Sequence, residues 1–183
     1  MFLLCGLGNK GTEYAFTRHN AGYLVVERYA ERLGIPFGRK VKNCRIASSR
    51  DVVLAKPDTY MNLSGGPVAA LLRNLGLDAS ALVVIHDDLD MDFGRIRLKW
   101  NGGDGGHKGV RSVGEALGSK EFHRLKLGIG RHPFLPPDQY VLQRFTSDEA
   151  GELGSILDRA ADAVQTLITD GSGKAMSLFN RDG

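Results

Sequence analysis

Residues 2–7 and 81–85 are continuous apolar runs of strand length. Each discharges at once into a crowded polar block: Gly8-Asn9-Lys10-Gly11 after the first, His86-Asp87-Asp88-Leu89-Asp90 after the second. A run with no polar alternation needs cover on both faces, so a strand of this kind implies helices on either side of its sheet. Polar loops hung from such buried strands are where binding and catalysis concentrate.

The rest of the chain supplies the covering helices. A helical stripe of Val25, Val26, Tyr29, Ala30 and Leu33 begins near Asn20 and stops at Gly34. Residues 45–48 and 52–56 read as a hairpin turning at Ser49-Arg50. Pro67 suits the first turn of a helix carrying Val68, Leu71, Leu72 and Leu75 up to Gly76, with Ser64 as its cap. Ile96, Leu98 and Trp100 alternate with Arg95, Arg97 and Lys99, the pattern of a half-exposed strand. A short helix over 110–117 and a strand over 124–129 follow. Residues 138–145, after a loop holding Pro133, Pro136 and Pro137, form a small helix poised as a lid within segment 132–145. Thr146-Ser147-Asp148-Glu149 is a capping-box signature opening a long helix over 147–169. Alternating strands and helices over 183 residues predict one α/β domain, a three-layer α/β/α sandwich with a mixed central sheet.

Composition removes several classes. No apolar run approaches the length of a membrane span and no basic leader with a cleavage site is present, so a cytoplasmic protein that does not engage the membrane is expected. Cys5 and Cys44 make neither a disulfide framework nor a zinc spacing. The net charge is only +3, yet residues 95–131 hold nine basic groups against three acids. That concentration is the footprint of a polyanionic partner.

Gly6-x-Gly8-x-x-Gly11 after a strand invites a dinucleotide reading, but the helix should open at the third glycine and instead begins near Asn20. Glu31, at the spacing of a ribose-binding acid, falls inside that helix. Among the polar residues at element ends, Asn9, His19, Asn62 and Asp87 recur. An imidazole beside a buried carboxylate is a general base, because the carboxylate fixes its tautomer and stabilises the imidazolium formed. His19 with Asp87 could activate water in this way. Ser64 lacks the Gly-x-Ser-x-Gly elbow of a hydrolase nucleophile. His86, Asp87, Asp88, Asp90, Asp92 and His107 stand as an alternative metal cluster without a recognised spacing. His123 and His132 read as structural.

Six blocks in order carry a resemblance: Gly6-Leu7-Gly8-Asn9-x-Gly11 with Tyr14; Thr17-Arg18-His19-Asn20-Ala21-Gly22; Lys56-Pro57-x-Thr59-Tyr60-Met61-Asn62-Leu63-Ser64-Gly65; His86-Asp87-Asp88-Leu89-Asp90; Gly105-Gly106-His107-x-Gly109; and Phe122 to Arg131. Together they resemble bacterial peptidyl-tRNA hydrolases from Phe2 to about Phe145. The resemblance implies an enzyme that cleaves the ester between a peptide and the 3′ ribose of its tRNA, on peptidyl-tRNA released from or stalled on ribosomes, large subunits included. It implies no metal and no cofactor, and a monomer suffices. His19 is then the base, Asp87 its orienting partner and Asn9 a contact to the peptide. Tyr14, Tyr60, Asn62, His107 and Lys108 line the substrate cleft, and Lys99 and Lys126 meet tRNA phosphate. Three departures stand out: Lys10 where the family usually has proline, Asp104 where histidine is frequent, and Lys108 where the family has asparagine. The last leaves a second reading, an RNA-binding homologue without turnover, against which the retention of Asn9, His19, Asn62 and Asp87 speaks.

Overall fold

The computed structural model describes residues 1–181. Seven strands form one sheet in the order β2-β3-β4-β1-β5-β7-β6: β1 Phe2–Gly6, β2 Arg39–Val41, β3 Cys44–Ser48, β4 Val52–Pro57, β5 Leu82–Asp88, β6 Ile96–Trp100 and β7 His123–Gly128. The four central strands run parallel, while β2, β3 and β6 pair antiparallel at the two sides. The mixed sandwich expected from the sequence is the architecture found.

Leu4, Val83, Ile85, Leu125 and Leu127 pack on one face against α1 (Ala21–Leu33), α5 (Ser147–Asp170) and α6 (Ser172–Phe179). Leu3, Cys5, Leu82 and Val84 pack on the other against α2 (Gly65–Leu75) and α3 (Lys108–Leu117). Burial on both faces is what the unbroken apolar runs required. The helices α1, α2 and α3 each end on a glycine in the left-handed conformation: Gly34, Gly76 and Gly118. The capping box of α5 forms between Thr146 and Glu149.

Several expectations change. The apolar run at 81–85 continues as strand through Asp88, so His86 and Asp87 stand in β5 and not in a loop. Ser64 occupies the position before α2 but does not cap it; its hydroxyl donates to the Met61 carbonyl, in a short helical turn over Met61–Leu63. The small helix α4 covers only Pro137–Tyr140, and the chain beyond is held by backbone hydrogen bonds. Trp100, at the end of β6, is half exposed beside the His123 ring. Two elements were unforeseen. Strand β2 has no apolar alternation and exists through a tight hairpin at Lys42-Asn43, both at positive φ. Helix α6 ends in Asn180, whose amide accepts from the Leu98 N–H and donates to its carbonyl, satisfying the edge of β6.

Candidate active site

The parallel strands β1, β4 and β5 end along one side of the sheet, and the helical turn Arg18–Asn20 leads α1 into that side. Two glycines allow a very close approach. A side chain at Gly22 would run into the Ile85 carbonyl oxygen, and one at Gly6 into the Gly22 carbonyl. With no Cβ at either place, the start of α1 rests on the ends of β1 and β5 and brings His19 against Asp87. His19 Nδ1 lies 3.0 Å from both carboxylate oxygens of Asp87.

Asp87 has a second imidazole neighbour. His107 Nε2 lies 2.9 Å from Asp87 Oδ1, while His107 Nδ1 accepts the N–H groups of Gly109 and Val110 as the cap of α3. Since Nδ1 accepts, the ring proton sits on Nε2 and is donated to Asp87. His19 donates from Nδ1 to the same carboxylate, which leaves its Nε2 bare. Burial alone would raise the Asp87 carboxyl, but His19 and then His107 outweigh it and hold the group well below the usual carboxylate range. His86 is buried behind them, edge-on to His107, with Nδ1 donating to the Asp87 carbonyl and Nε2 without a partner among the described residues. Burial, followed by the neighbouring His107, pushes its imidazole well below the ordinary value.

Asn9 is held from three directions. Its backbone N–H and carbonyl both bond to the Asn20 amide, and its Oδ1 accepts the Met61 N–H at 2.7 Å. An N–H donor must meet an oxygen, so the orientation of the Asn9 amide is determined and its NH2 has no protein partner among the described residues. Asn9, His19, Met61, Asn62, Asp87, His107 and Lys108 line one cleft of about 710 Å³, walled on the far side by Val141 and Leu142. Lys108 opens α3 with an exposed side chain and no ion pair among the described residues.

The remaining expected residues lie apart from this lining. Tyr14 is half-buried in the turn Thr12–Tyr14, and the half-exposed Tyr60 ring stands under Lys10 Nζ, 5.1 Å from its centroid. Lys126, opposite His86 across the β5–β7 pairing, forms an ion pair with Asp88 at 2.9 Å; Lys99 is on β6. The alternative metal cluster is dispersed: Asp88 binds Lys126, Asp90 binds Arg131 at 2.7 Å, and His86 bonds to backbone. Among the described residues only His19, Asp87 and His107 come close enough to share an ion, and their mutual hydrogen bonds already occupy the facing atoms. Asp104 pairs with Arg111 at 3.1 Å and accepts the Gly106 N–H, tying the glycine-rich loop to α3. Asn20 and Arg124 were not singled out by chemistry, and His86 was read only as a candidate metal ligand. Arg124 is fully buried and donates to the Gly102 carbonyl at 2.7 Å, anchoring that loop from behind.

The family model for peptidyl-tRNA hydrolase matches residues 3–183. The peptidyl-tRNA hydrolase of Thermodesulfovibrio yellowstonii is 41% identical over 190 residues, covering 99% of this chain and 100% of its own. That of Mycobacterium marinum is 49% identical over 176 residues, 92% of each chain. A crystal structure of peptidyl-tRNA hydrolase from Acinetobacter baumannii superposes with a TM-score of 0.91 at 36% identity, covering 99% of this chain and 95% of its own. A family model matched over almost the whole length, joined to full-length relatives well above 30% identity, establishes that this chain belongs to the peptidyl-tRNA hydrolase family.

Proposed function

We propose that the protein hydrolyses the ester between a peptide and the 3′ ribose of tRNA, with His19 as general base. The observation that carries this reading is Asp87 receiving a ring N–H from both His19 and His107, since it leaves His19 Nε2 bare at the cleft. A water hydrogen-bonded to Nε2 attacks the ester carbonyl as its proton passes to the imidazole. The imidazolium is stabilised by Asp87, and the new oxyanion by donors at the cleft wall: the Asn9 NH2, Asn62 and the Lys108 ammonium. Collapse breaks the ester bond, and His19 returns its proton to the departing ribose oxygen. The products are a free peptide carboxylate and tRNA.

The Asn9 NH2 can donate to a carbonyl of the first peptide bond, which a free aminoacyl-tRNA lacks, and in that role it selects peptidyl substrates. Lys99 and Lys126 then hold tRNA phosphates, Tyr14 and Tyr60 flank the 3′ end, and the enzyme works as a cytoplasmic monomer on peptidyl-tRNA, free or on large ribosomal subunits. No helix among the described residues is long and apolar enough to cross a membrane.

The test is peptide release from an N-blocked aminoacyl-tRNA by the pure protein, with and without chelator, beside His19→Ala. Release that survives chelation and vanishes in the variant, with tRNA binding kept, is the expected outcome. Wild-type release by His19→Ala would remove that residue from the chemistry, and no release by the wild type would make the protein an RNA binder.

A further inference from the structure

The groups that touch the reacting atoms must be held in register, and a second set of contacts lies behind them. Residues 141–144 run alongside 17–19. The His19 N–H donates to the Val141 carbonyl at 2.8 Å, the Arg18 N–H to the Gln143 carbonyl at 3.1 Å, and Thr17 bridges to Arg144. Arg18, buried beside the base, donates to the Arg144 carbonyl at 2.9 Å and to Glu149 at 2.7 Å. Its guanidinium also lies 4.2 Å from the centre of the Tyr140 ring. Tyr140 in turn donates its buried hydroxyl to the Ile129 carbonyl at 2.7 Å, and the Ile129 N–H donates to the Asp88 carbonyl at 3.0 Å. Asp88 adjoins Asp87 on β5, and Asp87 accepts from His19.

These contacts close a ring: His19, Arg18, Tyr140, Ile129, Asp88, Asp87 and back to His19. We infer that Arg18 and Tyr140 are positioning residues, which set the distance between His19 and Asp87 without touching substrate. The inference rests on His19 being the base. Its physical basis is that the front of the ring, the His19 to Asp87 bond, joins a helical turn to a strand end, and a weak back would let the two drift. An imidazole moved by an ångström from its carboxylate loses both its fixed tautomer and its charge partner. Arg18 is suited to the task because a planar guanidinium can donate to two acceptors in its plane and still stack on an aromatic face.

The ring also limits motion at the cleft. Val141 and Leu142, which wall the cleft, lie on the same backbone that bonds His19 and Arg18, so the ring holds that wall of the cleft together with the base.

The experiment compares Tyr140→Phe, which keeps the ring under Arg18 and removes only the bond to Ile129, with Arg18→Lys, which keeps the charge and removes the fork. Val164→Ala, buried in α5 and remote from the ring, serves as a control for lost stability. Steady-state hydrolysis of N-blocked aminoacyl-tRNA is measured well below each melting temperature, together with the proton NMR signal of the His19 Nδ1–H bonded to Asp87. For Tyr140→Phe we expect kcat to fall about tenfold and for Arg18→Lys more, with KM within twofold and the Nδ1–H signal shifted upfield or broadened. The control should keep kcat and the signal at a comparable loss of melting temperature. A kcat within twofold of wild type in both variants overturns the inference, as does an equal fall in the control. Should His19→Ala retain full turnover while the Nδ1–H signal still responds to Tyr140→Phe, the role of His19 as base fails and the structural ring stands.

Discussion

Replacing Asp87 by asparagine keeps the shape of the site and changes two things that can be sized separately. The first is charge. When His19 takes a proton, the imidazolium lies against a carboxylate whose oxygens are 3.0 Å from Nδ1. With charge centres about 4 Å apart and an effective dielectric of about 20, the attraction is about 4 kcal/mol, and at about 1.4 kcal/mol per decade its loss costs roughly three decades in rate. The second is tautomer. An asparagine oxygen at the Oδ1 position serves His107, which cannot turn its proton around because Nδ1 accepts two backbone N–H groups of α3. The asparagine NH2 then faces His19 Nδ1 and favours the form protonated on Nε2, the atom that must receive the proton. Nε2 faces the open cleft, so that switch meets little resistance. Together the effects predict a fall in kcat of about 1,000- to 10,000-fold, the scale on which a mis-set imidazole disables a base. Single-turnover peptide release gives the rate, and nitrogen NMR of His19 gives the tautomer. A fall of less than about tenfold with the Nδ1–H form still dominant would refute both the charge and the tautomer roles.

Other outcomes follow from the same contacts. Asn9→Asp keeps an oxygen for the Met61 N–H and removes the NH2 donor, so turnover of blocked substrates should fall about 100-fold with tRNA affinity little changed; equal loss on a short ester without a peptide bond would assign Asn9 to the oxyanion alone and refute its role in selecting peptidyl substrates. Lys108→Asn should flatten the slope of log affinity against log salt by about 0.7 if the ammonium meets a single-stranded phosphate. Lys99→Gln should lower that slope more than Lys126→Gln, because Asp88 already shares the Lys126 charge; the reverse order would contradict that sharing. For His86 the sign follows from burial: the unfolded chain binds a proton near pH 6.5 and the folded chain does not, so stability falls as pH drops through that value. Urea unfolding at pH 7.5 and 5.5 should therefore show wild type losing more stability than His86→Leu over that interval, and an equal loss in both would mean that His86 takes up its proton as readily in the fold as in the unfolded chain.

Local pattern determined much of this protein. The apolar runs of β1 and β5, the stripes of α1, α2 and α5, the glycine stops and the capping box all depend on neighbours a few residues apart, and they were legible for that reason. The same runs dictated a sheet covered on both faces, and the ordered blocks around Asn9, His19, Asn62 and Asp87 pointed to the site. Strand β2 and helix α6 were hidden because a tight turn and an amide capping the edge of β6, not periodicity, hold them. The division of labour within the site was decided by tertiary structure alone. His107 was read as a substrate contact and as a possible metal ligand; that its ring, fixed by the start of α3, also reaches Asp87, 20 positions earlier in the chain, is set by the fold alone. Arg18 and Tyr140 carry no local signal of their role, since each matters through a partner more than a hundred residues away or across the sheet end. Chain pattern encodes which surfaces must be buried; which donor meets which acceptor is chosen only when packing closes distances between segments that have no periodic relation to one another.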